Sequence, residues 1–164
     1  YVQFKNPMAF NRKVCYYTSE GRKIIQGKMN INYNIMYQLM NQRIGNSSIE
    51  YYDNRISLYS TQSGRCYITG KEFSSVDDIH CHHRKARKNE GTDEVSNLVL
   101  VDKDIHKLIH AKKLETIQYY IDLLNIKATE LRKINRLRQL LELPIIVKEK
   151  KSLTLCYSYK SFSD

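Results

Sequence analysis

Residues 79–110, IHCHHRKARKNEGTDEVSNLVLVDKDIHKLIH, contain every histidine of the chain, and the rest of the sequence is interpreted around them. These five residues are His80, His82, His83, His106 and His110. Asp, Glu and Lys are spread widely over the chain, whereas imidazole is confined to this one window. That distribution indicates a functional site and not ordinary surface composition.

Two of the histidines have the spacing of helical metal ligands. Asp102 or Asp104 can cap a helix predicted over 103–111, and His106 and His110 are four residues apart on it. Residues four apart on a helix lie on one face, one turn apart, so both rings can bind a single ion. A pair at this spacing is also common on solvated helices, so the rest of the window must decide between the two interpretations.

His82 and His83 are adjacent in a strand predicted over 79–84. Neighbouring side chains of a strand point to opposite faces, so the two rings cannot chelate one ion together. One can bind a metal while the other does a different job. A polar loop follows, and Asn97 then stands just before a buried strand predicted over 98–101.

The loop carries four closely spaced cations, Arg84, Lys85, Arg87 and Lys88. A charge run of this kind is usually a solvated loop, but beside a phosphodiester site it favours contact with phosphates. His80 matches no pattern and is predicted to have no role. Cys81 is predicted to be a packed strand residue and not a zinc ligand.

The composition favours a nucleic acid as partner. The chain has 164 residues and a formal net charge of +10, and a balance this basic is more typical of nucleic-acid binding than of binding to an anionic membrane surface. No apolar run is long enough for a transmembrane helix. Four widely spaced cysteines without a CxxC pair indicate reduced thiols in a cytosolic protein. The first residue is not Met, and we expect a longer parent chain.

Periodicity predicts an α+β chain. Residues 1–28 interleave cations with aromatics, which suits backbone contact and base stacking or, alternatively, a solvated irregular segment. Helices are predicted over 31–43, 49–62, 114–124 and 130–141, in addition to 103–111, and a short strand and turn over 65–71.

Particular side chains are assigned within these helices. The apolar stripe of the second helix is predicted to be Ile49, Tyr52, Ile56 and Tyr59. Thr129 is predicted to cap the last helix. Its cations, including Arg138, are predicted to lie outside the apolar stripe, either solvated or along nucleic acid.

Taken together, the window resembles the HNH nuclease motif, in the variety with three metal-binding histidines found in colicin-type nucleases. The residues that carry the resemblance are His82, His83, Gly91, Asn97, His106 and His110. The resemblance implies a ββα-metal finger flanked by helices.

The flanks SIEYYDNRISLYSTQSGRCYITGKEF and GTDEVSNLVLVDKDIHKLIHA sharpen the resemblance. They are similar to the C-terminal region of bacterial group II intron-encoded reverse transcriptase/maturases, over roughly residues 1–142. The organisation expected from this is a small, mostly helical DNA-binding segment (1–60), an HNH endonuclease domain (61–125), a trailing basic helix (126–143) and a weakly ordered tail (144–164).

The resemblance also implies residue roles. His83 would be the general base that activates water, and His82, His106 and His110 would bind one divalent ion, Mg²⁺ or Mn²⁺, with Zn²⁺ as an alternative. Asn97 would hold the loop through hydrogen bonds. The reaction implied is hydrolysis of a target DNA strand to a free 3′-hydroxyl, which primes reverse transcription of the intron RNA.

The partners implied are target DNA and group II intron RNA, without a membrane, in the cytoplasm of a bacterium or in an organelle. The chain departs from the family pattern at two loop positions. Ala86 stands where Pro is frequent, which loosens the loop, and Glu90 stands where the first Gly of a pair is frequent, which places a carboxylate near it. Cys66 is followed by Thr69 where a second Cys would stand, so no four-cysteine zinc site is expected.

Two other functions fit the same residues. The first is a non-catalytic nucleic-acid-binding module whose histidines hold a structural zinc ion. The second is a free-standing homing endonuclease, which the missing initial Met disfavours.

Overall fold

The structure is a computed structural model and describes residues 18–20, 31–42, 45, 47–148 and 153–156. Within them the chain is mixed α+β, as predicted, with five named α-helices and two small antiparallel sheets. The elements in chain order are α1 (Tyr33–Asn41), α2 (Ile49–Thr61), β1 (Ile79–His83), β2 (Leu98–Asp102), α3 (Lys103–His110), α4 (Leu114–Leu124), α5 (Ala128–Leu140), β3 (Ile145–Lys148) and β4 (Leu153–Cys156).

The hairpin of β1 and β2 forms the centre of the fold. The strands are antiparallel, with His82 opposite Val99 and His83 opposite Leu98. The first four residues of β2 are at most 1% exposed, because α2 and α3 both pack against this strand. A strand covered on both faces reads as a continuous apolar run, which is the pattern of residues 98–101.

Strand β2 passes directly into α3. The Asp102 side chain accepts a hydrogen bond from the backbone N–H of Asp104 at 2.9 Å and so caps the helix. Ile105, Leu108 and Ile109 are at most 1% exposed and hold α3 against the core. Because no loop separates strand from helix, the position of α3 relative to the hairpin is closely determined.

The apolar stripe predicted for α2 is confirmed at Tyr59, which is 1% exposed, but is otherwise wrong. Ile49 is 82% exposed, and the face toward the core is instead formed by Tyr51, Arg55, Leu58 and Tyr59. Helical spacing is compatible with both the predicted stripe and the observed one. A prediction that counts hydrophobic residues along each stripe rejects the observed one, because it contains Arg55. Arg55 is nevertheless only 1% exposed.

Of the short strand and turn predicted over 65–71, the turn is confirmed but the strand is not. Among the described residues, this segment forms one isolated bridge, between Arg65 and Glu72. Backbone bonds from Cys66 N to Lys71 O and from Gly70 N to Cys66 O close the turn. Cys66, Ile68 and Phe73 are buried, so this turn contributes to the core.

Helix α5 differs from its prediction in its N-terminal cap and in the burial of one arginine. Its cap is Lys127 and not Thr129, because the Glu130 carboxylate accepts from the Lys127 backbone N–H and fixes the first turn. Arg138, predicted to lie outside the apolar stripe, is 0% exposed and therefore belongs to the interior.

Part of the expected weakly ordered tail is a second hairpin. Strands β3 and β4 are antiparallel, and Ile146 and Leu153 are buried. The Asn135 side chain on α5 donates to Ile146 O and accepts from Ile146 N, at 2.8 and 2.9 Å, which anchors β3. The tail was not predicted to be structured because strands of four residues give little sequence signal.

Several predictions fall outside the described residues. The basic and aromatic segment 1–28 does so except for residues 18–20, as do parts of the tail at 149–152 and 157–164. The division into 1–60, 61–125, 126–143 and 144–164 stays a prediction. Among the described helices, none combines the length and apolar character that crossing a bilayer requires.

Candidate functional site

Three of the histidines meet between β1 and α3. His106 and His110 lie one turn apart on α3, with ring centroids 4.7 Å apart. The ring of His82 approaches both, at 5.3 Å from His106 and 5.1 Å from His110. One nitrogen from each ring lies within 4.8 Å of the other two, so the group could hold a metal ion. The identity of such an ion is open.

The burial of His82 fits a metal better than it fits a packed core. The residue is 1% exposed, and neither ring nitrogen has a hydrogen-bond partner among the residues that the structure describes. An unpaired buried polar group is unfavourable by about 1–3 kcal/mol. An ion would bind one of the two ring nitrogens, so a metal accounts for one of the two unpaired atoms of His82.

The protonation state of the three rings also suits a metal. Burial, aided by the neighbouring imidazoles, lowers the pKa of His82 to about 3. Burial, followed by the effect of His110, lowers the pKa of His106 to about 4. His110 is exposed, but partial desolvation of its ring, followed by the charge of Arg138, also lowers its pKa. All three are therefore neutral near pH 7, which is the form that binds a metal.

An open cleft of about 310 Å³ adjoins the group and is lined by His82, His83, His106 and His110, among other residues. Metal sites that do chemistry keep a position open for water or substrate beside their protein ligands. Three imidazoles facing such a cleft meet that requirement. The same cleft is reached by His83.

His83 lies on the opposite face of β1 from His82. Its ring stacks on Tyr51 of α2, with planes 6° apart and centroids 5.7 Å apart. Its Nε2 is 2.8 Å from Oδ1 of Asp93. Because side chains alternate along β1, His82 lies in the three-ring group and the adjacent His83 contacts the Asp93 carboxylate.

Asp93 was not identified from the sequence. Its carboxylate receives hydrogen bonds from Ser48, Arg87 and His83, and Asn54 donates to its backbone carbonyl. Burial alone would raise the pKa of Asp93, but these hydrogen bonds outweigh it and lower the pKa to about 2. The available signal was weak, because Asp93 is one of three acidic residues, with Glu90 and Glu94, that follow the run of cations.

The Asp93 contact fixes the tautomer of His83. An ionised carboxylate only accepts hydrogen bonds, so Nε2 of the neutral ring must carry the hydrogen. Arg87 Nε lies 3.2 Å from Nε2 and 3.1 Å from Asp93 Oδ1, and it therefore directs its hydrogen to the carboxylate. This leaves Nδ1 of His83 as the nitrogen able to take a proton.

Asn97 holds the two ends of the polar loop together. Its Oδ1 accepts from Lys85 N at 2.8 Å, and its Nδ2 donates to Lys85 O at 3.1 Å and Thr92 O at 2.8 Å. Its backbone carbonyl also accepts from Arg84 N at 2.7 Å. These contacts fix the chain immediately after His83. The catalytic assignment of Asn97 stays a prediction.

The four predicted phosphate contacts have different surroundings. Lys85 and Lys88 are exposed. Arg84 is half-buried, with its guanidinium 5.1 Å from the centre of the Tyr67 ring. Arg87 is half-exposed, pairs with Asp93 and lines the cleft. The structure therefore brings Arg87 to the candidate site, whereas the guanidinium of Arg84 lies against the Tyr67 ring.

His80 and Cys81 of β1 lie outside the three-ring group. His80 packs against His106 with centroids 5.1 Å apart. Cys81 is half-buried on the His83 face, and burial raises the pKa of its thiol to about 11. A thiol of that kind stays protonated near neutral pH, which does not suit a metal ligand.

Gly91 is required by the close approach of the loop to itself. A Cβ at this position would lie 1.9 Å from Lys85 O. We expect Gly91→Ala to lower the free energy of unfolding by about 2–3 kcal/mol, because backbone atoms must move apart. Urea unfolding measures this change.

Gly70→Ala is the matched control for Gly91. Gly70 has a φ of 67° and open space around it, so alanine there meets only the left-handed backbone penalty of about 1 kcal/mol. A loss at Gly91 no larger than the loss at Gly70 would contradict the close contact.

Comparison with known proteins does not assign the site. A scan against protein-family models, a search of curated proteins and a search of solved structures each found no match to this chain.

Proposed function

We propose that the chain is a metal-dependent DNA endonuclease module of the HNH type, with β1, β2 and α3 forming a ββα-metal finger. One observation carries the proposal. His82 and His83 are adjacent on one strand, yet His82 belongs to the group of three imidazoles and His83 contacts the Asp93 carboxylate. Both side chains line one cleft. A water activated at His83 and a phosphate held at the metal group would meet there.

The chemistry at His83 is that of a general base. Nδ1 takes a proton from water as the oxygen attacks phosphorus, and the bond from phosphorus to the 3′-oxygen breaks. The leaving 3′-oxygen takes a proton from solvent water, and His83 later returns its proton to solvent, so the products are a 5′-phosphate and a free 3′-hydroxyl. The negative charge of Asp93, 2.8 Å from Nε2, stabilises the imidazolium that forms. Tyr51 fixes the plane of the ring.

The metal group has a separate role. His82, His106 and His110 would hold one divalent ion, Mg²⁺ or Mn²⁺, which supplies Lewis-acid stabilisation of charge on the phosphate and the leaving 3′-oxygen when bound. Arg87 in the cleft and exposed Lys85 and Lys88 beside it are suited to the flanking phosphates. The net charge of +10 supports a DNA or RNA partner.

Loop geometry supports the likeness to the HNH pattern at the two positions where the sequence departs from it. Ala86 has φ −64° and ψ 143°, a conformation that proline also adopts. Glu90 has φ 61°, in the left-handed region that favours glycine. The loop therefore has the backbone that the pattern expects, although the side chains differ.

The broader setting rests on the sequence resemblance alone. It is the mobility of a group II intron, with target DNA and intron RNA as partners and a reverse transcriptase/maturase as parent chain. The place would be the cytoplasm of a bacterium or an organelle. In that setting the 3′-hydroxyl primes reverse transcription.

The test is nicking of supercoiled DNA in Mg²⁺ or Mn²⁺. We expect wild type to nick, chelator to stop it, and His83→Ala to slow it by about 100-fold or more, because the base is lost. His80→Ala is the matched control, since it removes a histidine of the same strand that packs on His106 but is not one of the three candidate ligands, and it should nick far faster than His83→Ala. Equal nicking by His83→Ala would overturn the assignment of the base.

A second candidate is a non-catalytic nucleic-acid-binding module with a structural zinc ion. The observation that favours it is the same three-imidazole group, because three imidazoles suit Zn²⁺. This version predicts stoichiometric zinc after purification and unfolding in chelator. A chain that stays folded in chelator and nicks DNA with Mg²⁺ excludes it.

A further inference from the structure

Arg138 is a buried cation at the carboxyl end of the helix that carries two of the candidate metal ligands. It lies on α5 and is 0% exposed. Its Nη1 donates to Leu108 O, Ile109 O and Ala111 O, at 3.2, 2.9 and 2.7 Å. Its Nε donates to Pro144 O at 2.8 Å. One guanidinium thus joins the end of α3 to the chain that follows α5.

The three carbonyls at Nη1 belong to the last turn of α3 and the residue after it. The final carbonyls of a helix have no partner within the helix, and they form the negative end of its dipole. A buried cation donates hydrogen bonds to these carbonyls and places a positive charge at the negative end of the dipole. His110, the last residue of α3, lies inside the segment that Arg138 holds.

Stability alone does not account for this residue. Among the described residues, Nη2 of Arg138 is buried without a hydrogen-bond partner. Removing a cation from water is unfavourable, and a buried nitrogen left without a hydrogen-bond partner adds to that penalty. Its neighbours on the same helix face, Ile134 and Leu137, are apolar and only 0% and 2% exposed, so this face of α5 offers the charge no contact with water.

We propose that Arg138 is a positioning residue of the metal site. By closing the last turn of α3 it keeps His110 in register with His106, so that both rings meet His82. The trailing helix is then part of the site and not an accessory to it. Leu141, just after α5, lines the cleft and places the end of this helix at the same location.

This inference rests on the proposed metal site, and the test uses Co²⁺ as the probe, with the 164-residue chain. Visible absorption of bound Co²⁺ reports both affinity and ligand geometry. Arg138→Met should weaken Co²⁺ binding by about 10- to 100-fold and alter the spectrum, which is the usual range for residues that orient metal ligands. Urea unfolding in chelator, measured in parallel, gives the stability of each variant.

Lys133→Met is the matched control. It removes the same charge from the same helix, but Lys133 Nζ donates to Tyr67 O and Ile68 O, away from α3. Lys133→Met should lower the free energy of unfolding and change Co²⁺ affinity by less than about twofold. A larger loss of Co²⁺ affinity in this variant would attribute the Arg138 effect to general destabilisation of the fold. Arg138→Lys, which keeps the charge but not the planar fork, should also weaken binding and decides the matter if Arg138→Met does not fold.

The outcomes separate the two proposals. Wild-type chain that binds no Co²⁺ overturns the metal site and this inference with it. Wild type that binds, with Arg138 variants that bind as tightly and give the same spectrum, overturns the positioning role alone.

Discussion

Replacing His82 with leucine is expected to abolish metal-dependent cleavage and, at the same time, to stabilise the metal-free protein. Leucine has a similar volume and no polar atom, whereas both nitrogens of His82 are buried without a partner among the described residues. We expect the free energy of unfolding in chelator to rise by about 1–3 kcal/mol, which is the usual penalty for unpaired buried groups. Urea unfolding and the nicking assay measure the two effects.

The matched control for His82 is His110→Leu. His110 belongs to the same three-ring group but is exposed, so its replacement should also remove metal-dependent cleavage without the gain in stability. A His82→Leu chain that is less stable than wild type in chelator would show that His82 has a structural role instead. Cleavage at the wild-type rate would remove His82 from the metal site.

The dependence of the His82 effect on pH has a definite sign. The folded pKa of about 3 is below the unfolded value of about 6.5, so between these values the unfolded chain binds the extra proton. This proton therefore leaves the stability of the wild-type chain unchanged above about pH 6.5, and it lowers that stability by up to about 1.4 kcal/mol per unit as the pH drops toward 3. His82→Leu should therefore exceed wild type by more at pH 5 than at pH 7.

Part of the geometry of the three-ring group could be predicted from periodicity, whereas the choice of His82 over His83 as its third member came from the resemblance. Helical spacing places His106 and His110 on one face, and strand alternation separates His82 from His83. What joins them in space is the direct passage from β2 into α3, which the Asp102 cap signals in the sequence. These are short-range rules, and they hold here because no long loop intervenes between strand and helix.

Residues whose role depends on tertiary contact were missed. Arg55 and Arg138 are buried, but a hydrophobicity pattern counts every arginine as surface. Asp93 reaches His83 because Gly91 allows the loop to fold on itself and Asn97 joins its ends. Loop conformation of this kind has no periodicity, so the partner of the proposed base could not be located from spacing.

Replacing Asp93 with asparagine should slow DNA nicking by about 10²- to 10⁴-fold while leaving Co²⁺ affinity within about twofold of wild type. The amide is neutral and can no longer stabilise the imidazolium that forms on His83. It can also present its N–H₂ group to Nε2, which favours the wrong tautomer of the ring. Rate and metal affinity are measured on the same preparation, so that loss of the base is distinguished from loss of the metal.

Glu94→Gln is the control for charge at the neighbouring position. Glu94 is exposed, and it accepts a hydrogen bond from Ser96, whereas Asp93 is the residue that contacts His83. The two substitutions change net charge equally, so an electrostatic effect on DNA binding should appear in both. Slow nicking in Asp93→Asn alone, with metal affinity retained, indicates a role through His83. A fall in Co²⁺ affinity along with the rate would instead assign Asp93 to holding the loop, through Ser48 and Arg87.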